Sequence, residues 1–221
     1  MTLNRNKVLR FLSKKLKFFL KKAYVFALKT CIRGPINPYI KESVESLGLN
    51  ENRSVDYEGT LPLELNKWLK FLPEKKSYVA IDFGSGKGLA VKTLNNNNKI
   101  DKVYGVEISK KLYEQSKIFL SSEVNDETVE LIHSDAVSLT PDILRNVNLF
   151  YFYNPFPELV FKEVMKVIHN SIEERKRDFY IIYFNPVYDE LIYDFFPNIN
   201  SFELDNFFSN AKTRIYYERK I

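Results

Sequence analysis

The segment Ala80-Ile81-Asp82-Phe83-Gly84-Ser85-Gly86-Lys87-Gly88 runs an apolar stretch, ending in a carboxylate, into a turn with glycine at every second position. Glycine suits such a turn because, without Cβ, it lets the chain bend sharply and lets a ligand approach the backbone near a helix N-terminus. Taken alone, the three glycines also fit a tight strand-to-helix turn with no ligand. The next apolar run, Val103-Tyr104-Gly105-Val106-Glu107, ends in an acid 19 positions after Gly88. A carboxylate that reads a ribose with both hydroxyls free is expected at that place. The dinucleotide fingerprint G-x-G-x-x-G would need glycine at position 89, where Leu89 stands, and the third glycine comes one residue early at Gly88. The spacing therefore argues against a nicotinamide dinucleotide.

With these residues the chain resembles the class I S-adenosylmethionine-dependent methyltransferases, whose first motif reads as an acidic residue followed by G-x-G-x-G. The resemblance runs from about Tyr57 to the C-terminus. It implies S-adenosyl-L-methionine as cofactor, with the glycine turn against its methionyl part and ribose and Glu107 on the ribose hydroxyls. The implied contacts are Asp82, Gly84, Ser85, Gly86, Gly88, Glu107 and Ile108. Leu131-Ile132-His133-Ser134-Asp135-Ala136 resembles the family's strand and G-D-A type turn, with Ser134 in place of glycine. This implies that Asp135 meets the adenine amino group and that Ala136 offers a backbone amide; a turn cap is the other role open to Asp135. Tyr151-Phe152-Tyr153-Asn154-Pro155-Phe156-Pro157 resembles the Asn-Pro-Pro-aromatic motif of amino-group methyltransferases, except that Pro157 follows the aromatic residue instead of preceding it. By that resemblance Asn154, Pro155 and Phe156 are the catalytic set, and Asn154 also borders the cofactor. The combination D-x-G-S-G-K-G, G-V-E and Y-N-P-F is closest to a bacterial subset of the class, and the Asn-containing fourth motif is similar to that of the non-SET histone lysine methyltransferases. Upstream, Tyr57 and Thr60 are implied lid contacts. A second pair, Asn185-Pro186, fits the start of a helix better than a pocket wall.

Short β-rich runs alternating with amphipathic segments must position these residues. The pattern predicts strands at Tyr78–Phe83, Lys102–Glu107, Val129–His133, Asn148–Tyr153 and Phe179–Phe184, with helices at Gly88–Asn95, Lys110–Leu120, Glu158–Asn170 and Val187–Phe195. Two further strands, Ser201–Asn206 and Lys212–Glu218, follow each other closely and should form an antiparallel hairpin at one edge. The expected fold is α/β, a doubly wound Rossmann-like sheet of seven strands, mostly parallel with an antiparallel C-terminal hairpin. Trp68, Leu65, Leu69 and Leu72 read as the core face of a helix packed on the sheet.

The 221 residues, 45% of them hydrophobic, suffice for one well-filled domain plus an appendage. A single cysteine, Cys31, precludes an intrachain disulfide and a cysteine zinc site, and fits a reducing compartment. Two histidines, His133 and His169, make a His-rich metal centre a poor expectation, and no metal is expected. The net charge of +5 conceals an asymmetry: residues 1–41 carry 11 Lys and Arg and no acid, leaving 22 basic against 28 acidic residues in the other 180. On a helical wheel Val8, Leu12, Leu16, Phe19, Leu20, Ala23, Phe26 and Ala27 share a face opposite Arg10, Lys14, Lys17, Lys21 and Lys22. This basic amphipathic helix fits an anionic membrane surface, or a helix that packs its apolar face on its own domain. The expected organisation is residues 1–33 as that helix, 34–76 as a connecting and lid segment, and 77–221 as the cofactor-binding domain. No apolar run is long enough to span a membrane. The expected location is cytoplasmic, with peripheral attachment to the inner membrane surface through the helix. The function expected overall is methyl transfer to an amine nitrogen, protein lysine being one acceptor. A nucleic-acid methyltransferase, an O-methyltransferase of a lipid or glycan at the membrane, and a non-catalytic cofactor-binding protein are the alternatives.

Overall fold

The computed structural model describes residues 5–32, 34–74 and 77–219, with side chains from Lys14 onward. In chain order the helices and strands are α1 (Arg5–Cys31), α2 (Pro62–Leu69), β1 (Tyr78–Phe83), α3 (Leu89–Asn95), β2 (Ile100–Glu107), α4 (Lys110–Phe119), α5 (Ser121–Asn125), β3 (Val129–His133), α6 (Pro141–Leu144), β4 (Leu149–Tyr153), α7 (Glu158–Glu174), β5 (Phe179–Phe184), α8 (Glu190–Phe195), β6 (Asn200–Leu204) and β7 (Thr213–Glu218). The strands form one seven-stranded sheet in the order β3-β2-β1-β4-β5-β7-β6. The first five are parallel, and β7 joins β5 and β6 antiparallel. This is the fold expected from the sequence.

The order explains where a ligand can bind. From β1 the chain winds outward through β2 and β3, then returns to place β4 on the other side of β1. That reversal opens a crevice at the carboxyl ends of β1 and β4, the place where open α/β sheets take ligands. Both sheet faces are covered, so β5 is buried along its whole length and β1 and β4 nearly so. Alternation along each strand sorts the core. Ile81, Phe83, Phe150 and Phe152 meet α7 through Val160, Phe161, Val164 and Ile168, a stripe of helical period. Tyr78, Ala80, Leu149 and Tyr151 face the layer of α2 and α3. Leu65, Trp68, Leu69 and Leu72 are buried there as expected. Pro62 at the first turn presets φ for α2. The Trp68 ring lies 5.1 Å from that of Phe184, and its Nε1 donates to Asn206 Oδ1 at 2.9 Å.

Several boundaries differ from the expected ones: α7 runs on to Glu174 and not Asn170, β6 covers Asn200–Leu204 and not Ser201–Asn206, and two other differences have local reasons. β2 begins at Ile100, because Tyr78 already pairs with it at the start of β1. The last helix begins at Glu190 and not at Val187: Asn185 adopts φ +53° instead of capping a helix, and residues 187–189 form a turn first.

Helix α1 lies on the domain with an unexpected face inward. Lys17 Nζ donates to the Asn206 carbonyl at 2.9 Å, Lys21 pairs with Glu58 at 3.1 Å, and Tyr24 stacks on Phe208 at 5.1 Å. Leu16, Phe19, Leu20, Ala23, Phe26 and Ala27 are exposed. Packing of the apolar face on the domain, one of the two sequence expectations, therefore does not occur among the described residues. The side chains of Val8, Arg10 and Leu12 lie outside them. No described helix is long and apolar enough to cross a membrane.

Candidate functional site

A cleft of about 820 Å³, open to solvent, lies at the crevice between β1 and β4. Its floor is the turn after β1. The amides of Gly84 and Ser85 both donate to the Val106 carbonyl at 2.9 Å, which folds the turn back over the end of β2. Gly84, Gly86 and Gly88 all have positive φ, the region where only glycine is unstrained. A Cβ on Gly84 would lie 2.8 Å from Pro155 Cβ, so the glycine turn and the turn after β4 touch directly. A Cβ on Gly86 would lie 2.1 Å from the Tyr57 ring, which covers the turn from above.

Glu107, at the tip of β2, is the anchor of this floor. Its two oxygens accept from the amides of Gly86 at 2.8 Å and Ser109 at 2.7 Å, leaving lone pairs on each for hydroxyl donors. Burial raises its pKa, against the lowering effect of those amides. Asp82 is buried on the same side and lines the same cleft. Burial, and then the negative charge of Glu107, push its carboxyl up to about 8. The cleft thus holds a protonated acid next to a hydrogen-bonded acid, a pair suited to ligand hydroxyls.

Of the residues singled out in the sequence, Asp82, Gly84, Ser85, Glu107, Ile108, Asp135, Ala136, Pro155, Phe156, Tyr57 and Thr60 line this one cleft. Asp135 takes the turn-cap role, its Oδ1 accepting from Val137 N at 3.2 Å, while its Oδ2 is paired with Arg53 at 2.5 Å. Gly86 lies beneath the Tyr57 ring. Gly88 is not among the residues lining the cleft. Its missing Cβ would lie 2.5 Å from the Leu120 side chain, so this glycine lets α3 pack closely against the end of α4. His133 sits at the edge of this region, exposed, with Nε2 3.1 Å from the Ile108 carbonyl.

Asn154 follows β4 with φ +40°, and its Oδ1 is buried with no hydrogen-bond partner. The Ser85 hydroxyl is likewise buried and unpartnered. An orphaned acceptor in a dry site costs about 1–3 kcal/mol. Ser85 lines the cleft, whereas Asn154 is not among its lining residues, although its neighbours Tyr153, Pro155 and Phe156 are. The same φ recurs at Asn185 before Pro186 at the end of the neighbouring β5, so both Asn-Pro pairs turn the chain away from the sheet at one edge.

A strap made by residues 36–61 closes the cleft, and sequence reasoning missed most of its parts. Tyr57 pairs with Glu42 in an antiparallel bridge, and its hydroxyl donates to the Pro38 carbonyl at 2.7 Å. Glu42 in turn holds the buried Lys87 ammonium at 2.8 Å and also pairs with Lys111. Lys87 donates as well to the Ile40 carbonyl at 3.0 Å, so the lysine of the glycine turn bolts the strap down. Thr60 Oγ1 lies 2.6 Å from the Tyr151 hydroxyl. Arg53, Glu42 and Glu58 sit in a stretch without periodicity, and no local signal could have picked them out. Tyr151 and Tyr153 also line the cleft without having been singled out in the sequence, and their spacing of two on one strand face is the signal that could have found them.

No protein-family model and no curated protein matches the sequence. Solved structures do. The methyltransferase domain of bacterial CtHen1 aligns with a TM-score of 0.55 at 14% identity, over 72% of this chain and 99% of that one. A SAM-dependent methyltransferase from Aquifex aeolicus aligns at 0.51 with 18% identity, over 70% and 88% of the two chains. An rRNA methylase from Streptococcus thermophilus aligns at 0.50 with 14% identity, over 72% and 97%. The chain therefore has the seven-stranded, doubly wound fold found in solved methyltransferases of this kind.

Proposed function

We propose that this protein is an S-adenosylmethionine-dependent methyltransferase whose acceptor atom is an amine nitrogen. The observation that carries the reading is the buried, unpartnered Oδ1 of Asn154, held at positive φ next to Pro155, which touches the glycine turn and lines the cleft. A neutral amine has N–H groups to give and a lone pair to present. Asn154 Oδ1 and the Pro155 carbonyl accept those N–H groups and turn the lone pair toward the cleft, while Phe156 and Tyr153 wall it off from water. Positioning of this kind converts binding into rate. An amine also asks for no strong base, which suits a cleft whose Asp82 keeps its proton to about pH 8.

The cofactor residues fit. Glu107 receives the ribose hydroxyls on the lone pairs its amide partners leave free, the Ser85 hydroxyl has a partner to gain, and the protonated Asp82 has an O–H to donate. Bound S-adenosylmethionine supplies a methyl group activated on a positively charged sulfur, and the chain supplies orientation and exclusion of water.

Two measurements test the reading. Isothermal titration should find S-adenosylmethionine and S-adenosylhomocysteine bound by the wild type, NADH not bound, and both adenosyl ligands lost in Glu107→Ala. Asn154→Ala should keep that binding while transfer of labelled methyl to the acceptors of a cell extract falls about a hundredfold. Wild-type binding of NADH alone sinks the cofactor assignment, and unchanged transfer by Asn154→Ala sinks the role of Asn154.

A further inference from the structure

Helix α1 is 27 residues long, or about 40 Å at 1.5 Å per residue. Its docked side, Lys17, Lys21 and Tyr24, spends three polar side chains on the domain. The side turned away carries Leu16, Phe19, Leu20 and Phe26 at 59%, 67%, 50% and 70% exposure, a continuous stripe far more apolar than solvent favours. Lys15, Lys22 and Lys29 recur every seven residues and border that stripe on one flank. On the same flank, between α1 and the strap, a groove of about 1250 Å³ that opens to solvent is lined by Phe18 and Val25 together with Lys22, Lys29 and the paired Lys41 and Glu58. Apolar stripe, basic border and a groove of the same mixed character occur on one side of the molecule.

We infer that α1 is an interfacial helix that seats the protein on an anionic phospholipid surface, the stripe entering the acyl boundary and the lysine row meeting the headgroups. The pattern of charge selects this partner. An apolar face edged by cations matches a bilayer whose interior is hydrocarbon and whose surface is negative. A nucleic acid would use the lysines but leave Phe19 and Phe26 in water. Positions 1–41 hold 11 basic residues and no acid against a net acidic remainder, a charge asymmetry that draws this end of the chain toward an anionic surface. The inference does not depend on the proposed transfer chemistry.

The test uses the full chain with extruded vesicles of phosphatidylcholine alone or mixed with phosphatidylglycerol. Cosedimentation is expected with the anionic vesicles, weakening as salt rises, and little with the neutral ones. Phe19→Glu combined with Phe26→Glu should remove binding, and Lys22→Glu combined with Lys29→Glu should weaken it by about tenfold or more. Circular dichroism melting curves like that of the wild type show that each variant is folded, whatever its cofactor binding. Absent vesicle binding, equal binding to both vesicle types, or binding untouched by the phenylalanine changes overturns the inference. So does a dimer in sedimentation analysis without lipid that the phenylalanine changes dissolve, since the stripe would then belong to a second copy. Retention on duplex RNA that the lysine changes abolish and the phenylalanine changes spare, with no vesicle binding, overturns it in favour of nucleic acid.

Discussion

Asp82 is the residue whose chemistry the fold alters most. In the unfolded chain its carboxyl titrates near the ordinary value of about 4; in the fold, burial and the neighbouring Glu107 push it up to about 8. An acid with a raised folded pKa binds its proton more tightly when folded, so stability declines as pH rises between these values and the penalty is complete above the upper one. Asp82→Asn should flatten that part of the melting-temperature profile from about pH 4 to pH 8; an unchanged slope would mean that Asp82 does not carry it. At Gly86 the constraint is steric. A Cβ there would collide with the Tyr57 ring, and φ is +55°. Gly86→Ala should therefore lose about 2–4 kcal/mol in urea unfolding, the sum of a left-handed backbone penalty and overpacking. The glycine spacing was legible in the sequence, but its cause at Gly86 was not, since the ring that fills the space comes from a residue 29 positions earlier.

The elements around the site are held by buried charges placed where the chain lacks regular structure. Glu42 joins the strap to the glycine turn through Lys87, and the two are nearly dry, at 13% and 4% side-chain exposure. Burial by itself would raise the Glu42 carboxyl, yet hydrogen bonds from Lys111 and Lys87 outweigh it and hold the carboxyl below its ordinary value. This contribution is present above the unfolded pKa and is lost as pH falls through the folded one, opposite in sense to that of Asp82. Glu42→Gln leaves Lys87 buried without its counter-charge and should cost about 3 kcal/mol, with faster hydrogen exchange in residues 36–61 as the specific mark. Helix α2 has a comparable role on the other side. Glu64, buried at its N-terminal turn, accepts from the amides of Phe207 and Phe208 at 3.0 and 2.6 Å and so holds the loop on which Tyr24 of α1 stacks. Trp68→Ala on the same helix should cost about 3–5 kcal/mol, read from urea unfolding. The hydrophobic period announced α2 and its core face, whereas the partners of Glu64 lie more than 140 residues away and leave no local trace.

At the scale of the molecule, α1 stands apart from the domain it rests on. No residue in its described part is buried, so deleting residues 1–33 should leave a single cooperative melt shifted by no more than about 4 °C. A larger loss would show that α1 is structural. The sequence by itself determined the strands, their approximate ends and the doubly wound order, because hydrophobic period and turn residues are local and a parallel sheet admits few crossovers. It also determined the turn after β1, Glu107 at the tip of β2 and Asn154 after β4, since each stands where a strand ends. The tertiary structure decided what distance along the chain conceals. It placed the Tyr57 ring on Gly86 and the Arg53 guanidinium on Asp135, gave Lys87 to Glu42, and set Gly88 against Leu120. It also decided which side of α1 faces outward. An amphipathic wheel gives two faces and no neighbour, and only the positions of Glu58, Asn206 and Phe208 fix which of them docks.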